Sequence, residues 1–228
     1  MGSLAEERRY TYKDYIMWDD EIRYELIDGI AYAMASPSRL HQKISGEIFR
    51  QLSNFLKGKT CEVYNAPFDV RLNAESFDDT VVQPDILVVC DESKHDGKSV
   101  KGAPDMVIEI LSPSTSRHDT VMKFKLYQSA GVREYWIIDP YIKSVQVYIL
   151  KNERYGVGSV YRDNEIVPVH ILEGCKINLA DVFDVFDDAV KLDNDNIEAR
   201  LKQKIIEALK ENGKSDEQTE KIINSIDL

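Results

Sequence analysis

Two short apolar runs, each carrying one carboxylate, constrain this chain more than any other feature. The first is Asp85-Ile-Leu-Val-Val-Cys90, directly after Pro84, and the second is Pro104-Asp-Met-Val-Ile-Glu-Ile-Leu111, which contains Glu109. β-Branched and apolar residues dominate both, and the polar stretch from Asp91 to Lys101 has turn composition. The pattern predicts an antiparallel hairpin. Setting Cys90 opposite Pro104 puts Asp85 opposite Glu109, and facing side chains on one sheet face have Cβ atoms roughly 4.5–5.5 Å apart. Two carboxylates that close repel unless a proton or a cation lies between them. A hard divalent ion suits such a pair, with water and phosphate completing its shell. A one-residue slip would turn Glu109 to the other face. Glu109 interrupts an otherwise apolar run, so a buried position there demands a partner. In the same register Asp105 faces Val89 and suits a strand start.

The chain has 228 residues, enough for one domain with an appendage, and 43% hydrophobic residues for a core. Its 29 Lys and Arg against 40 Asp and Glu give a net charge of −11. That balance argues against avid, nonspecific duplex binding, which rests on neutralising many phosphates, while leaving room for a small basic cleft or a metal that supplies the positive charge. Cys61, Cys90 and Cys175 are odd in number and widely spaced, so neither a zinc site nor a disulfide framework is expected. A reducing, cytoplasmic setting follows from that reading. No apolar segment has the length of a signal core or membrane span, so no membrane association is expected.

Along the chain, a short helix is expected at Thr11–Trp18. A hairpin over Arg23–Met34 turns at Asp28-Gly29, and a helix runs from about Leu40 to Leu56. Strands are expected at Cys61–Tyr64, Phe68–Leu72 and Val81–Gln83, followed by the two arms above. Asp119 is the candidate N-cap of a helix over Thr120–Ala130, which ends at Gly131. Strands at Glu134–Asp139 and Ser144–Leu150 follow, then shorter ones at Tyr155–Tyr161 and Ile166–Leu172. Val182–Phe186 closes the body. This order predicts a mixed sheet flanked by helices, with a parallel crossover through the Thr120–Ala130 helix. Residues 1–190 form the expected main domain. Residues 191–228 read as a helical hairpin with an Ile/Leu stripe that packs on the body or on a second copy.

Lys123 lies one turn after Asp119 and one turn before Tyr127. A lysine there can orient a water or neutralise charge growing on phosphorus. Its alternative is a solvent-facing side chain weakly paired with Asp119. Lys125 is the competing lysine, on a different face. Glu25, between Tyr24 and Leu26, is a third candidate ligand or else a solvated strand residue. Gln83 shares a face with Asp85, and His41 opens the long helix, where it either reaches a phosphate or merely caps the helix. Ser112 and Ser114 are candidate hydrogen-bond partners for phosphate or for the amides of the next helix. No serine-nucleophile constellation and no phosphate-cradling glycine loop occurs.

Val-Val-Gln-Pro-Asp85, Gly102-Ala-Pro-Asp-Met-Val-Ile-Glu-Ile-Leu-Ser-Pro-Ser-Thr115 and Gly131-Val-Arg-Glu-Tyr-Trp-Ile-Ile-Asp-Pro140 resemble the Uma2 family. These are restriction-endonuclease-like proteins of the PD-(D/E)XK nuclease superfamily. Tyr24-Glu-Leu-Ile-Asp-Gly29 and the Pro37–His41 stretch resemble the family's N-terminal portion, and the likeness runs from about residue 10 to 186. The resemblance implies an α+β, restriction-endonuclease-like core and a DNA endonuclease that uses Mg²⁺ or Mn²⁺. It assigns Asp85 to the Asp of the PD motif, Glu109 to the acid of (D/E)XK and Glu25 to the N-terminal glutamate. The motif's lysine position holds Leu111, and the resemblance moves that lysine to Lys123. Asp85, Glu109 and the Ile110 carbonyl are then the expected metal ligands, with His41, Gln83 and Tyr127 in support. A homo-oligomer, such as a dimer, is the expected assembly. The alternative is a non-catalytic scaffold of the same fold that serves oligomerisation or nucleic-acid binding.

Overall fold

A computed structural model describes residues 8–19, 22–112 and 116–184, with the backbone alone for 116–120. The residues up to Phe183 form one compact unit. The helical hairpin expected over 191–228 lies outside the described residues.

Local chemistry explains the first elements. Helix α1 (Tyr12–Tyr15) precedes strands β1 (Tyr24–Ile27) and β2 (Ile30–Ala33). These strands pair antiparallel through a two-residue turn in which Asp28 and Gly29 have φ of 50° and 77°. Positive φ at both positions matches the right-handed twist of the strands, which is why Asp-Gly serves here. A Cβ on Gly29 would also come within 2.9 Å of the Arg9 side chain. Helix α2 (Arg39–Leu56) starts where the Ser38 hydroxyl accepts the His41 N–H at 3.2 Å. It buries Leu40, Ile44, Ile48, Leu52 and Leu56, all at helical spacing.

Strands β3 (Glu62–Asn65), β4 (Asp69–Arg71), β5 (Val81–Val82), β6 (Ile86–Val89), β7 (Ser99–Lys101) and β8 (Met106–Ile110) follow. Helix α3 (Ser116–Ala130) leads to β9 (Glu134–Asp139) and β10 (Ser144–Lys151). The short strands β11 (Arg154–Tyr155), β12 (Ser159–Arg162), β13 (Ile166–Pro168) and β14 (Lys176–Asn178) precede α4 (Leu179–Asp184). One sheet has the order β2-β1-β5-β4-β7. The other runs β11-β10-β9-β8-β6-β3, with β12 also on β10, and β13-β14 form a small third sheet. No helix among the described residues is long and apolar enough to cross a membrane.

β6 and β8 pair antiparallel with Ile86, Leu87 and Val88 opposite Ile108, Val107 and Met106. This is the register set by placing Cys90 opposite Pro104. β8 and β9 pair in parallel, so α3 is the crossover between them. The core packs Leu87, Val107, Tyr127, Tyr135 and Ile137 together.

Three expectations need correction. Asp91–Lys101 is more than a turn, since it holds a 3₁₀ turn (Glu92–Lys94) and β7, which pairs in parallel with β4. α3 begins at Ser116, so Asp119 stands inside the first turn rather than at the N-cap. Cys61 and Cys90 are joined by a disulfide, with Cα atoms 4.0 Å apart. They continue the β3–β6 register, in which Glu62 faces Val89. Pairing between strands, not spacing along the chain, brings them together.

Candidate active site

Asp85 sits one residue before β6, where continuing the β6–β8 register carries it opposite Glu109. Its carbonyl accepts the Ala66 N–H at 3.1 Å on the β3 side. Towards β8, its carboxylate acts in place of the backbone ladder, and Oδ2 accepts the Ile110 N–H at 2.8 Å. The same oxygen lies 3.1 Å from His41 Nε2 on the first turn of α2. One amide and one imidazole therefore fix the rotamer of Asp85.

Glu109 lies in the middle of the site, 7% exposed. Its Oε1 accepts from Lys123 Nζ at 3.1 Å and from the Tyr127 hydroxyl at 2.6 Å. Lys123 and Tyr127 are four residues apart on α3, so both point to the same face. Lys123 is 5% exposed, while Lys125 is exposed. The solvent-facing alternative for Lys123 is thus set aside. Lys123 Nζ also donates to Glu25 Oε1 at 3.0 Å, and the Gln83 N–H donates to that oxygen at 2.9 Å. Glu25 is 6% exposed, so it is not a solvated strand residue.

Burial pushes the Glu109 carboxyl up to about 8, and the charges of Asp85 and Glu25 add to the shift. Lys123 and the Tyr127 hydrogen bond oppose it. Burial, together with Glu109 and Glu25, drives the Tyr127 phenol well above its usual range, so it stays a donor. The site therefore carries more carboxylates than its one ammonium neutralises.

The supporting residues divide. The Gln83 side chain turns to Tyr15 (3.0 Å) and Asp69 (2.9 Å), leaving only its backbone N–H to serve Glu25. Asp105 accepts from the Cys90 N–H and from Arg133, which is a structural role. Ser112 lines the cleft, and Ser114 lies outside the described residues. Nothing in the sequence points to Tyr15 and Asp69 as the partners of the Gln83 side chain. They sit 68 and 14 residues from it along the chain, and no local pattern links them. The whole group opens on a cleft of about 620 Å³, whose lining includes Arg23, Tyr32 and Tyr141.

The donor set suits a hard cation. Among the described residues, Asp85 Oδ1 and Glu109 Oε2 accept no hydrogen bond. A positive charge between these carboxylates would offset the burial that raises Glu109 and the repulsion that adds to it. Among the described residues, no three His, Cys, Asp or Glu side chains converge on one point. The chain thus offers two carboxylates and leaves the remaining positions to water and substrate oxygens, as magnesium tolerates.

A family model for Uma2, described as "Putative restriction endonuclease", matches residues 11–180. The chain belongs to the Uma2 family. An uncharacterized protein of Synechocystis sp. is 29% identical over 140 residues, covering 60% of this chain and 72% of that protein. The crystal structure of a "putative nuclease belonging to DUF820" from Anabaena variabilis superposes with a TM-score of 0.63 at 22% identity. It covers 77% of this chain and 98% of the other. That likeness establishes a restriction-endonuclease-like α+β fold for the Uma2 chain.

Proposed function

We propose that this Uma2 protein is a Mg²⁺- or Mn²⁺-dependent endonuclease that hydrolyses DNA phosphodiester bonds. One observation carries the reading: Lys123 Nζ bridges Glu25 and Glu109 at the floor of the cleft that Asp85 also lines. Asp85 and Glu109, with the Ile110 carbonyl, hold the metal. A divalent ion in such a place supplies Lewis acidity and a more acidic water. Glu25 holds Lys123, and the ammonium orients the attacking water or balances charge growing on the phosphate. The Ile110 N–H and His41 keep Asp85 in place, and Tyr127 keeps Glu109 in place.

The test is nicking of supercoiled plasmid with Mn²⁺, with Mg²⁺ and with EDTA, by the native chain and by Asp85→Asn. Nicking that needs the ion and is lost in the variant supports the reading. A chain that binds the ion and cuts nothing is instead a scaffold, a reading favoured by the net charge of −11.

A further inference from the structure

The cleft's walls differ in chemistry from its floor. At the floor, Asp85, Glu109, Glu25 and Lys123 have side-chain exposures of 18% or less. Tyr32 pairs with Glu25 across β1 and β2, so its side chain shares the face of that carboxylate. Across the cleft, β9 runs beside β8 with Ile138 paired to Ile110. The turn that follows β9 is held by Asp139 Oδ1, which accepts the N–H groups of Tyr141 (2.9 Å) and Ile142 (3.3 Å). Tyr141 is 43% exposed and Ile142 58% exposed, and Pro140 and Tyr141 line the cleft. Met34 and Pro37 complete the carbon-rich wall.

Positive charge is scarce by comparison. Among the described lining residues, Arg23 and Lys123 are the two fixed cations, and Lys123 is held by two carboxylates. Duplex binders instead spread on the order of 6–10 phosphate contacts over a basic surface. About 620 Å³ is the size of a small-molecule pocket. A paired, stiff backbone presents its phosphates on the outside of a cylinder and does not reach such a floor. An unpaired strand does, because its bases can swing out and stack on rings at low cost in charge.

We infer that this cleft takes an unpaired stretch of nucleic acid, with bases against Tyr32 and Tyr141 and the phosphate on the carboxylate floor. The inference rests on the nuclease reading and names its substrate class.

Fluorescence anisotropy of the full chain in Ca²⁺ tests it with three labelled DNAs: a single strand, its blunt duplex, and the same duplex with a central unpaired bubble. The single strand and the bubble should bind at least tenfold tighter than the blunt duplex, with a salt dependence equal to roughly one or two phosphates. Tyr141→Ala should weaken single-strand binding roughly tenfold, while Tyr141→Phe keeps it, because stacking needs the ring and not the hydroxyl. Duplex binding as tight as single-strand binding, no binding to any of the three, or a silent Tyr141→Ala overturns the inference. A preference for unpaired DNA without cleavage in Mn²⁺ leaves the inference standing and removes the catalytic reading.

Discussion

The carboxylate of Asp85 accepts the backbone N–H of Ile110, the residue next to Glu109, at 2.8 Å. A side chain thus bridges two strands where a backbone bond would otherwise lie. Both site carboxylates are referenced to the same stretch of β8.

Removing the charge of either carboxylate should therefore weaken metal binding without loosening the sheet. Asp85→Asn keeps an acceptor for Ile110, and Glu109→Gln keeps one for Tyr127. Each should weaken Mn²⁺ by tenfold or more in calorimetry, judged against the roughly 10–100-fold effects of even outer-shell changes. Unchanged affinity in both variants rules out a shared ion site.

On the proposed mechanism the ammonium acts on the reacting phosphate and not on the ion, so Lys123→Ala should abolish cleavage while Mn²⁺ still binds. It should also cost stability, about 3 kcal/mol, since it leaves the buried Glu25 carboxylate without its cation. Lys125→Ala, at an exposed position, should change stability by less than about 0.5 kcal/mol. Plasmid nicking and thermal melts read both effects, and a dead Lys125→Ala beside an active Lys123→Ala reverses the assignment.

The raised Glu109 carboxyl gives the metal-free protein a pH dependence of definite sign. In the unfolded chain this group ionises near 4.5, whereas in the folded chain it holds its proton to about 8. Between those values unfolding releases a proton, so this contribution to stability is full below the lower value and falls as pH rises through the upper one. Metal-free protein should lose melting temperature from pH 6 to 8.5, and Glu109→Gln should flatten that loss. Mn²⁺ affinity should rise over the same window as the ion displaces the proton. A melting profile of Glu109→Gln parallel to the native one removes Glu109 as the source.

Much of this geometry is legible in the sequence. The β6–β8 register follows from two apolar runs and the turn-like stretch between them. The helix period shows that only one of Lys123 and Lys125 can face the carboxylates, since the two point about 200° apart, and the face shared with Tyr127, together with the family resemblance, selects Lys123. Leu111 hides the lysine from a linear motif, but not from a reading that follows the next helix. Other parts depend on distant partners. β7 is three residues long and becomes a strand because β4 lies beside it. Glu25 stands on a four-residue strand too short to show which face is buried. The Gln83 amide is claimed by Tyr15 and Asp69 from two other segments, and nothing near Gln83 announces them.

The Cys61–Cys90 bond closes residues 61–90 into a covalent ring. Asp85 is part of that ring, whereas Glu25, Glu109 and Lys123 belong to the two arms that leave it. The ring also carries Phe77, which is 78% exposed within a turn and offers an aromatic-selective protease an accessible bond. A cut there opens the loop without parting the molecule. On a denaturing gel the nicked protein should run as one band until thiol is added, and only then as two. The bond thus keeps Asp85 joined to both arms of its site through any single backbone break that falls between Cys61 and Cys90.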